Sequence, residues 1–181
     1  MNEIADIHRK LNNNDESVRR RNLLIHGIPN TIKCDPKTIT SSLLNFLEIS
    51  SVDILGTYRM RIRNSNVNLA QPIILECHSE MIKQKNIDAF KVKKAQLNRS
   101  LTISDIGVPL HVQHDTKKPV FATDHLTLFN QEIYRKAKSL KNKNFKCIWT
   151  QHGKVLCRKD DQSEIIKLNT FDVVDQLLNN N

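Results

Sequence analysis

FKCIWTQHGKVLCRK, residues Phe145–Lys159, reads as two alternating stretches, Phe145–Trp149 and Lys154–Lys159, around the short loop Thr150–Gly153. Period-two alternation interrupted by a glycine-containing turn specifies an antiparallel hairpin. Upstream, Thr127 stands where a helix cap is needed. Phe129, Ile133, Ala137 and Leu140 then recur at helical spacing up to about Lys141. Downstream, Glu164–Leu168 reads as a strand and Thr170 as the cap of a final helix that buries Phe171, Val174 and Leu177. These elements make a small α/β unit with a β-hairpin. At roughly 65 residues it holds little core of its own, which favours packing on a neighbour.

Working towards the amino terminus, a second pattern precedes it. Asn22-Leu-Leu-Ile-His-Gly-Ile-Pro29 is an apolar run closed by Gly27 and Pro29 and reads as a buried strand. Asp35-Pro36 opens a helix carrying Ile39, Leu43, Leu44, Phe46 and Leu47. Residues 52–63 return to period two, with Tyr58, Met60 and Ile62 expected on the buried face and Arg59, Arg61 and Arg63 outside. Asn64 to Ala70 is a polar loop, and Pro72–Cys77 is a further strand. Ser79 caps a long helix whose apolar positions are Met81, Ile82, Ala89, Phe90 and Leu97, and Leu101–Ile106 reads as the closing strand. The order is βαββαβ, the ferredoxin-like arrangement that RNA-recognition motifs use. The expected fold class is therefore α+β: a ferredoxin-like, RNA-recognition-motif-like (RRM-like) domain over residues 19–107, then the small α/β carboxy-terminal domain over residues 108–181. In this reading a connector runs from Gly107-Val108-Pro109 to Lys118-Pro119, and a short strand starting at Val120-Phe121 belongs to the second domain. Ile4, Ile7, Leu11 and Val18 form a short heptad-like stripe on a helical stub over residues 1–18, read as the end of a coiled coil.

Charge separates these segments. The 181 residues carry a net charge of +9, made of −2 over residues 1–18, +7 over 19–107 and +4 over 108–181. A basic excess spread over both folded parts, with an acidic stub outside it, points to a polyanionic partner. The chain has only 4 glycines, and G-x-x-x-x-G-K-[ST], G-x-G-x-x-G and G-x-S-x-G are all missing, which argues against nucleotide-loop and serine-hydrolase machinery. His, Ser and Asp residues are scattered without a dyad or carboxylate pair, so no enzyme activity, catalytic residue or cofactor is expected. The sequence shows neither a membrane-length apolar run nor a signal-peptide stretch, and Cys34, Cys77, Cys147 and Cys157 form no C-x-x-C pair. The expectation is an intracellular protein, in nucleus or cytoplasm, with reduced cysteines and no membrane association.

The basic clusters supply the candidate site residues: Arg19, Arg20 and Arg21; Arg59, Arg61 and Arg63 along one strand face; Lys138, Lys141, Lys143 and Lys146 at the end of the helix; and Arg158 with Lys159 on the hairpin. Each is a candidate nucleic-acid contact that would release counterions from a phosphate backbone. The bland alternative for the arginine strand is an edge that uses cations against aggregation. Trp149 shares its parity with Cys147 and Phe145, which favours a core tryptophan over a base-stacking platform. The central strands Leu23–Ile28 and Ile73–Cys77 contain no Phe, Tyr or Trp, so the ordinary stacking mode of such a sheet is not expected. Cys147-x4-His152-x4-Cys157 matches the last three ligands of a zinc knuckle, but Asn144 stands where the first Cys belongs. His111, His114, Asp115 and His125 lie on or beside a connector. No metal site is expected from either set.

Two stretches resemble a known family. Arg20-Arg-Asn-Leu-Leu-Ile-His-Gly-Ile-Pro29 resembles the start of the RRM-like domain in first-open-reading-frame proteins of LINE-type retrotransposons. Asp124-His-Leu-Thr127, Lys136-Ala-Lys138, Ile148-Trp149, His152-Gly-Lys-Val155, Arg158-Lys159 and Ile165 to Leu168 resemble the carboxy-terminal domain those proteins share with baculovirus few-polyhedra (FP) proteins. His152 departs from the Asn common in the turn, Ala122-Thr123 replaces a frequent Asn-Glu, and the long coiled coil of the retrotransposon relatives is absent. The resemblance implies sequence-nonspecific, chaperone-like binding of RNA or single-stranded DNA in a cleft between two domains. Electrostatic clamping of a retroelement- or insect-virus-derived RNA-binding protein on its strand is the expected function. The alternative is a viral assembly protein working through protein contacts. Self-association through the amino-terminal helix is the second partner expectation.

Overall fold

The computed structural model describes residues 3–30, 32, 34–61, 70–107 and 117–179. The chain forms two compact units: Arg21–Thr123, and a unit made from Met1–Arg20 together with Asp124–Asn181. The first is called here the inserted unit and the second the hairpin unit. Both are mixed α+β, each with its own antiparallel pairing and its own core.

In the inserted unit β1 (Asn22–His26) is followed by α2 (Pro36–Phe46), β2 (Ile54–Arg59), β3 (Ile73–Cys77) and α3 (Glu80–Leu97). The two-residue β4 (Leu101–Thr102), the short α4 (Ile103–Ile106) and β5 (Pro119–Asp124) complete it; α1 (Glu3–Arg19) lies in the hairpin unit. The sheet order is β2-β3-β1-β5-β4. β1 and β3 are antiparallel with Leu23 opposite Leu75 and Ile25 opposite Ile73, and these four residues face the core with Ile39, Leu43 and Leu44 of α2 and Phe90 of α3. The Ser79 hydroxyl caps α3 by accepting from the Ile82 amide at 3.2 Å. The buried face of α3 is carried by Lys83, Asn86 and Phe90, whereas Met81, expected inside, is largely exposed. Phase makes that difference, because 83, 86 and 90 keep the i, i+3, i+7 spacing, whereas 81 lies roughly half a turn from 83.

Three expectations for this unit are corrected. Leu101–Ile106 is not one strand. It pairs for two residues and then turns into α4, because the Asp105 carboxylate accepts from the Thr102 amide at 2.7 Å and from Arg99 at 2.6 and 2.7 Å. That is the Thr-x-x-Asp start of a capped helix. The strand at Val120-Phe121 does not belong with the carboxy-terminal elements; β5 lies in this sheet between β1 and β4. Gly27, with φ +90°, permits the approach, since a Cβ there would stand 2.0 Å from the Pro119 carbonyl oxygen. The outward face of β5 presents Phe121, stacked on His26 with centroids 4.9 Å apart, and His26 hydrogen-bonds Thr123 at 2.9 Å.

The third correction concerns the arginine strand. β2 ends at Arg59, Arg61 lies exposed beyond it, and Arg63 lies outside the described residues. The faces are also exchanged: Tyr58 is 46% exposed, whereas Arg59 sits opposite core-facing Ile73. Its guanidinium donates to the carbonyls of Ile28 (3.0 Å), Pro29 (3.1 Å) and Gln71 (3.0 Å) and to Asn30 Oδ1 at 3.3 Å. At the edge of a sheet the core face opens onto loops, and a long cation can satisfy their carbonyls there.

The hairpin unit holds α1, α5 (Leu128–Ala137), β6 (Cys147–Gln151), β7 (Lys154–Arg158), β8 (Ile166–Leu168) and α6 (Phe171–Asn179). Its sheet order is β6-β7-β8, and its core gathers Ile133, Ala137, Leu140, Phe145, Val155, Cys157, Leu168 and Val174. Thr127 caps α5 by accepting from the Asn130 amide at 3.1 Å. The turn residues His152 (φ 55°) and Gly153 (φ 77°) both adopt the left-handed conformation of a two-residue hairpin loop.

α1 docks through its polar side. Asn12 Oδ1 accepts from the Thr127 hydroxyl at 2.6 Å, and Arg19 bonds both Asp15 and His125. Asn130 Nδ2 donates to the Gly153 carbonyl at 2.9 Å, tying the hairpin turn to α5 beside that contact. Ile7, Leu11 and Val18 are 55%, 61% and 72% exposed.

Candidate nucleic-acid interface

The three-stranded sheet of the hairpin unit sorts its side chains by register. Ile148 opposite Cys157, and Val155 opposite Leu168, face the core. Trp149 opposite Leu156, Cys147 opposite Arg158 and Gln151 opposite Lys154 therefore occupy the other face, and Lys167 joins them opposite Leu156. Trp149 is thus not a core residue. Phe145, which shares its odd parity, is buried, but it precedes β6 and so does not set the phase of the strand. Cys157 and Val155 set that phase from across the hairpin.

On this outer face the Arg158 guanidinium lies 5.9 Å from the Trp149 ring, within cation–π range. Lys141, Lys146, Cys147, Ile148, Trp149 and Arg158 line a shallow cleft of about 430 Å³. Lys146 and Arg158 share one partner: Asp161 accepts from Arg158 at 2.8 Å and from Lys146. The hydrogen bond and charge of Lys146 hold the Asp161 carboxyl below its ordinary range, and Asp161 in turn raises Lys146. Lys138 lies over Tyr134 at 5.0 Å, Lys159 is exposed with its ammonium 5.7 Å from the Phe145 ring, and Lys143 is partly buried in the Lys138–Lys143 turn. Lys141, Lys146 and Arg158 are brought together around the cleft; Lys154 and Lys167 share the outer face and were not among the sequence candidates. Their signal was available as parity counted from Trp149, once Trp149 is placed outward.

The remaining candidates lie elsewhere. Arg19 is engaged by Asp15 at 2.7 Å and by His125 at 2.8 Å, and Arg20 approaches Glu16 at 3.8 Å. Arg21 begins the inserted unit and donates to Glu76 at 3.3 Å. The described arginines of the 59–63 stripe form no cationic row, because Arg59 is bound to loop carbonyls and only Arg61 stands exposed.

Metal chemistry finds no geometry on the hairpin. Cys147 and Cys157 lie on opposite faces of the sheet, so a Cys147–His152–Cys157 set does not converge. Burial pushes the Cys157 thiol up to about 11. His111, His114 and Asp115 lie outside the described residues, and His125 bonds Arg19. Among the described residues there is no group of three or more His, Cys, Asp or Glu side chains arranged to hold a metal ion, and no helix is long and apolar enough to cross a membrane.

Residues 127–178 match the family model for baculovirus FP protein domain 2. The match starts at the Thr127 cap and ends within α6, so the FP-matching segment contains the hairpin, the outer face and the cleft. It covers well under half of the chain and leaves out α1 and the whole inserted unit. No curated protein matches the chain. The FP-matching segment includes Asp124-His-Leu-Thr127 only through its last residue, and that residue is the one that caps α5 and bonds Asn12.

Proposed function

We propose that this chain is a non-enzymatic protein that binds single-stranded RNA or DNA without sequence preference, using the outer face of β6, β7 and β8. One observation carries the reading: Trp149 shares that face with Arg158, Lys154 and Lys167 and borders a cleft lined by Lys141 and Lys146. A half-buried aromatic ring on a cationic sheet face is an arrangement by which single strands are held, bases stacking on the ring and phosphates meeting the charges. The FP match supports a viral lineage for the hairpin unit. The order β1-α2-β2-β3-α3-β5, with β5 beside β1, supports an RRM-like reading of the inserted unit, and the Arg20–Pro29 stretch supports kinship with LINE-type first-open-reading-frame proteins.

Fluorescence anisotropy of the full chain with labelled single-stranded oligonucleotides over a salt series tests the reading. Affinity falls steeply between about 50 and 200 mM salt if several phosphates are neutralised. The Lys141→Ala/Lys146→Ala pair weakens binding on every sequence alike. A flat salt response, or unchanged binding in that variant, overturns the proposal.

A second reading, assembly through protein contacts, is favoured by the outward stripe Ile7, Leu11 and Val18 on a helix already held by its polar side. Leu11→Gln separates the two, since it spares strand binding and lowers the mass in solution if the stripe mediates assembly.

A further inference from the structure

We propose that the phosphate position of this face is the place now held by the Asp161 carboxylate, so that the chain carries its own competing anion. The inference rests on the nucleic-acid reading above and deepens it. Asp161 accepts from the Arg158 guanidinium at 2.8 Å and from the Lys146 ammonium, and these two cations line the cleft beside Trp149. A carboxylate bridging an arginine and a lysine uses the same donors that a phosphate oxygen pair would use.

Two features make this contact one that an incoming phosphate can replace. The turn that presents Asp161 is built separately from it. Asp160 Oδ1 accepts the backbone amides of Gln162 and Ser163 at 2.9 and 2.8 Å, and so shapes the loop without help from Asp161. The carboxylate is also displaceable: Asp161 and Lys146 are 54% and 59% exposed, and pairs at such exposure contribute little to stability. A strand that arrives with several phosphates therefore exchanges one weak internal anion for a set of external ones. Arg158 stays oriented throughout by the Trp149 ring. Asp161 thereby lowers affinity for any strand whose phosphate must take its place.

The test is Asp161→Asn in the full chain, with Asp172→Asn, at an exposed position of α6, as a control for net charge and Asp161→Ser as a second variant of the same site. Fluorescein-labelled oligothymidylate and an RNA of the same length are the probes, read by anisotropy over the salt series. Removing Asp161 should tighten binding about three- to tenfold at low salt, the ratio that one or two released surface pairs can supply. The salt dependence should also steepen, because two cations are freed to meet phosphate. Unchanged or weaker binding in Asp161→Asn overturns the inference and makes the carboxylate an orienting group. An equal gain in Asp172→Asn overturns it as well, as an effect of net charge alone. If neither the wild-type chain nor Asp161→Asn binds any strand, the nucleic-acid reading falls and takes this inference with it. If the wild type binds and Trp149→Ala weakens it while Asp161→Asn changes nothing, this inference alone falls.

Discussion

The Arg19 guanidinium and Nε2 of His125 stand 2.8 Å apart. A guanidinium has no lone pair to accept with, so Nε2 must accept and the imidazole must be neutral with its proton on Nδ1. Burial, and then the Arg19 charge, push His125 down to about 4, against a smaller upward pull from Asp15. A free histidine titrates near 6.5. The unfolded chain thus binds more protons than the folded one between those two values. This contribution to stability is complete above about pH 6.5 and is lost as pH falls through 4. Urea midpoints should drop between pH 7 and pH 5 by the equivalent of about 1–2 kcal/mol, and His125→Gln should flatten that slope. An unchanged slope in the variant would assign it to other groups.

Arg59 is expected to behave as a structural residue. Arg59→Ala removes the donor from three carbonyls and one amide oxygen, and should cost about 2–4 kcal/mol in a denaturant titration. Arg59→Lys should recover little of that loss, because a single ammonium cannot span acceptors arranged for a planar fork. Strand binding per folded molecule should stay at the wild-type level.

Gly27→Ala should be among the most damaging substitutions in the inserted unit. Its new methyl would meet the Pro119 carbonyl at 2.0 Å, in a backbone conformation with φ +90° that side chains rarely adopt. A loss of about 3 kcal/mol or more is expected, read as a lowered melting temperature by circular dichroism.

Neighbouring positions on β6 should separate stability from binding. Ile148→Ala opens the core of the hairpin unit and should cost about 1–3 kcal/mol of stability. Trp149→Ala should cost about 1 kcal/mol or less in folding, from its cross-strand partner. In strand affinity it should cost about 1–3 kcal/mol. Equal stability losses at both positions would place Trp149 back in the core.

The hairpin was legible because its signals are local: alternation on both arms and a Gly153 that accepts a left-handed turn. Thr127, Ser79 and Thr170 were legible as caps for the same reason, each bonding an amide three residues on. The capping pair Thr102 and Asp105 was equally local and ends β4 where alternation alone suggested a continuing strand. What alternation could not supply was phase. The face of Trp149 is decided by Cys157 and Val155 across the hairpin, and that of Arg59 by the carbonyls of Ile28, Pro29 and Gln71, which reach it from two other loops. The placement of β5 beside β1 rests on a contact between Gly27 and Pro119, more than ninety residues apart. No periodicity within either strand records it. The polar docking of α1 was hidden for the opposite reason, since its apolar stripe is the stronger local signal and faces outward.

The division at Arg20/Arg21 and again at Thr123/Asp124 makes Arg21–Thr123 an insertion within another fold. The hairpin unit is therefore discontinuous along the chain. A fragment cut at the FP-matching segment, residues 127–178, leaves behind Asn12, the acceptor for Thr127, and Glu16, whose Cγ lies 3.2 Å from where a Cβ on Gly153 would stand. The natural minimal piece is a permuted or loop-bridged one, in which a short flexible linker joins Arg20 directly to Asp124 and the inserted unit is expressed on its own. Deletions that count residues from the amino terminus remove the Asn12 acceptor from Thr127 before they reach the inserted unit.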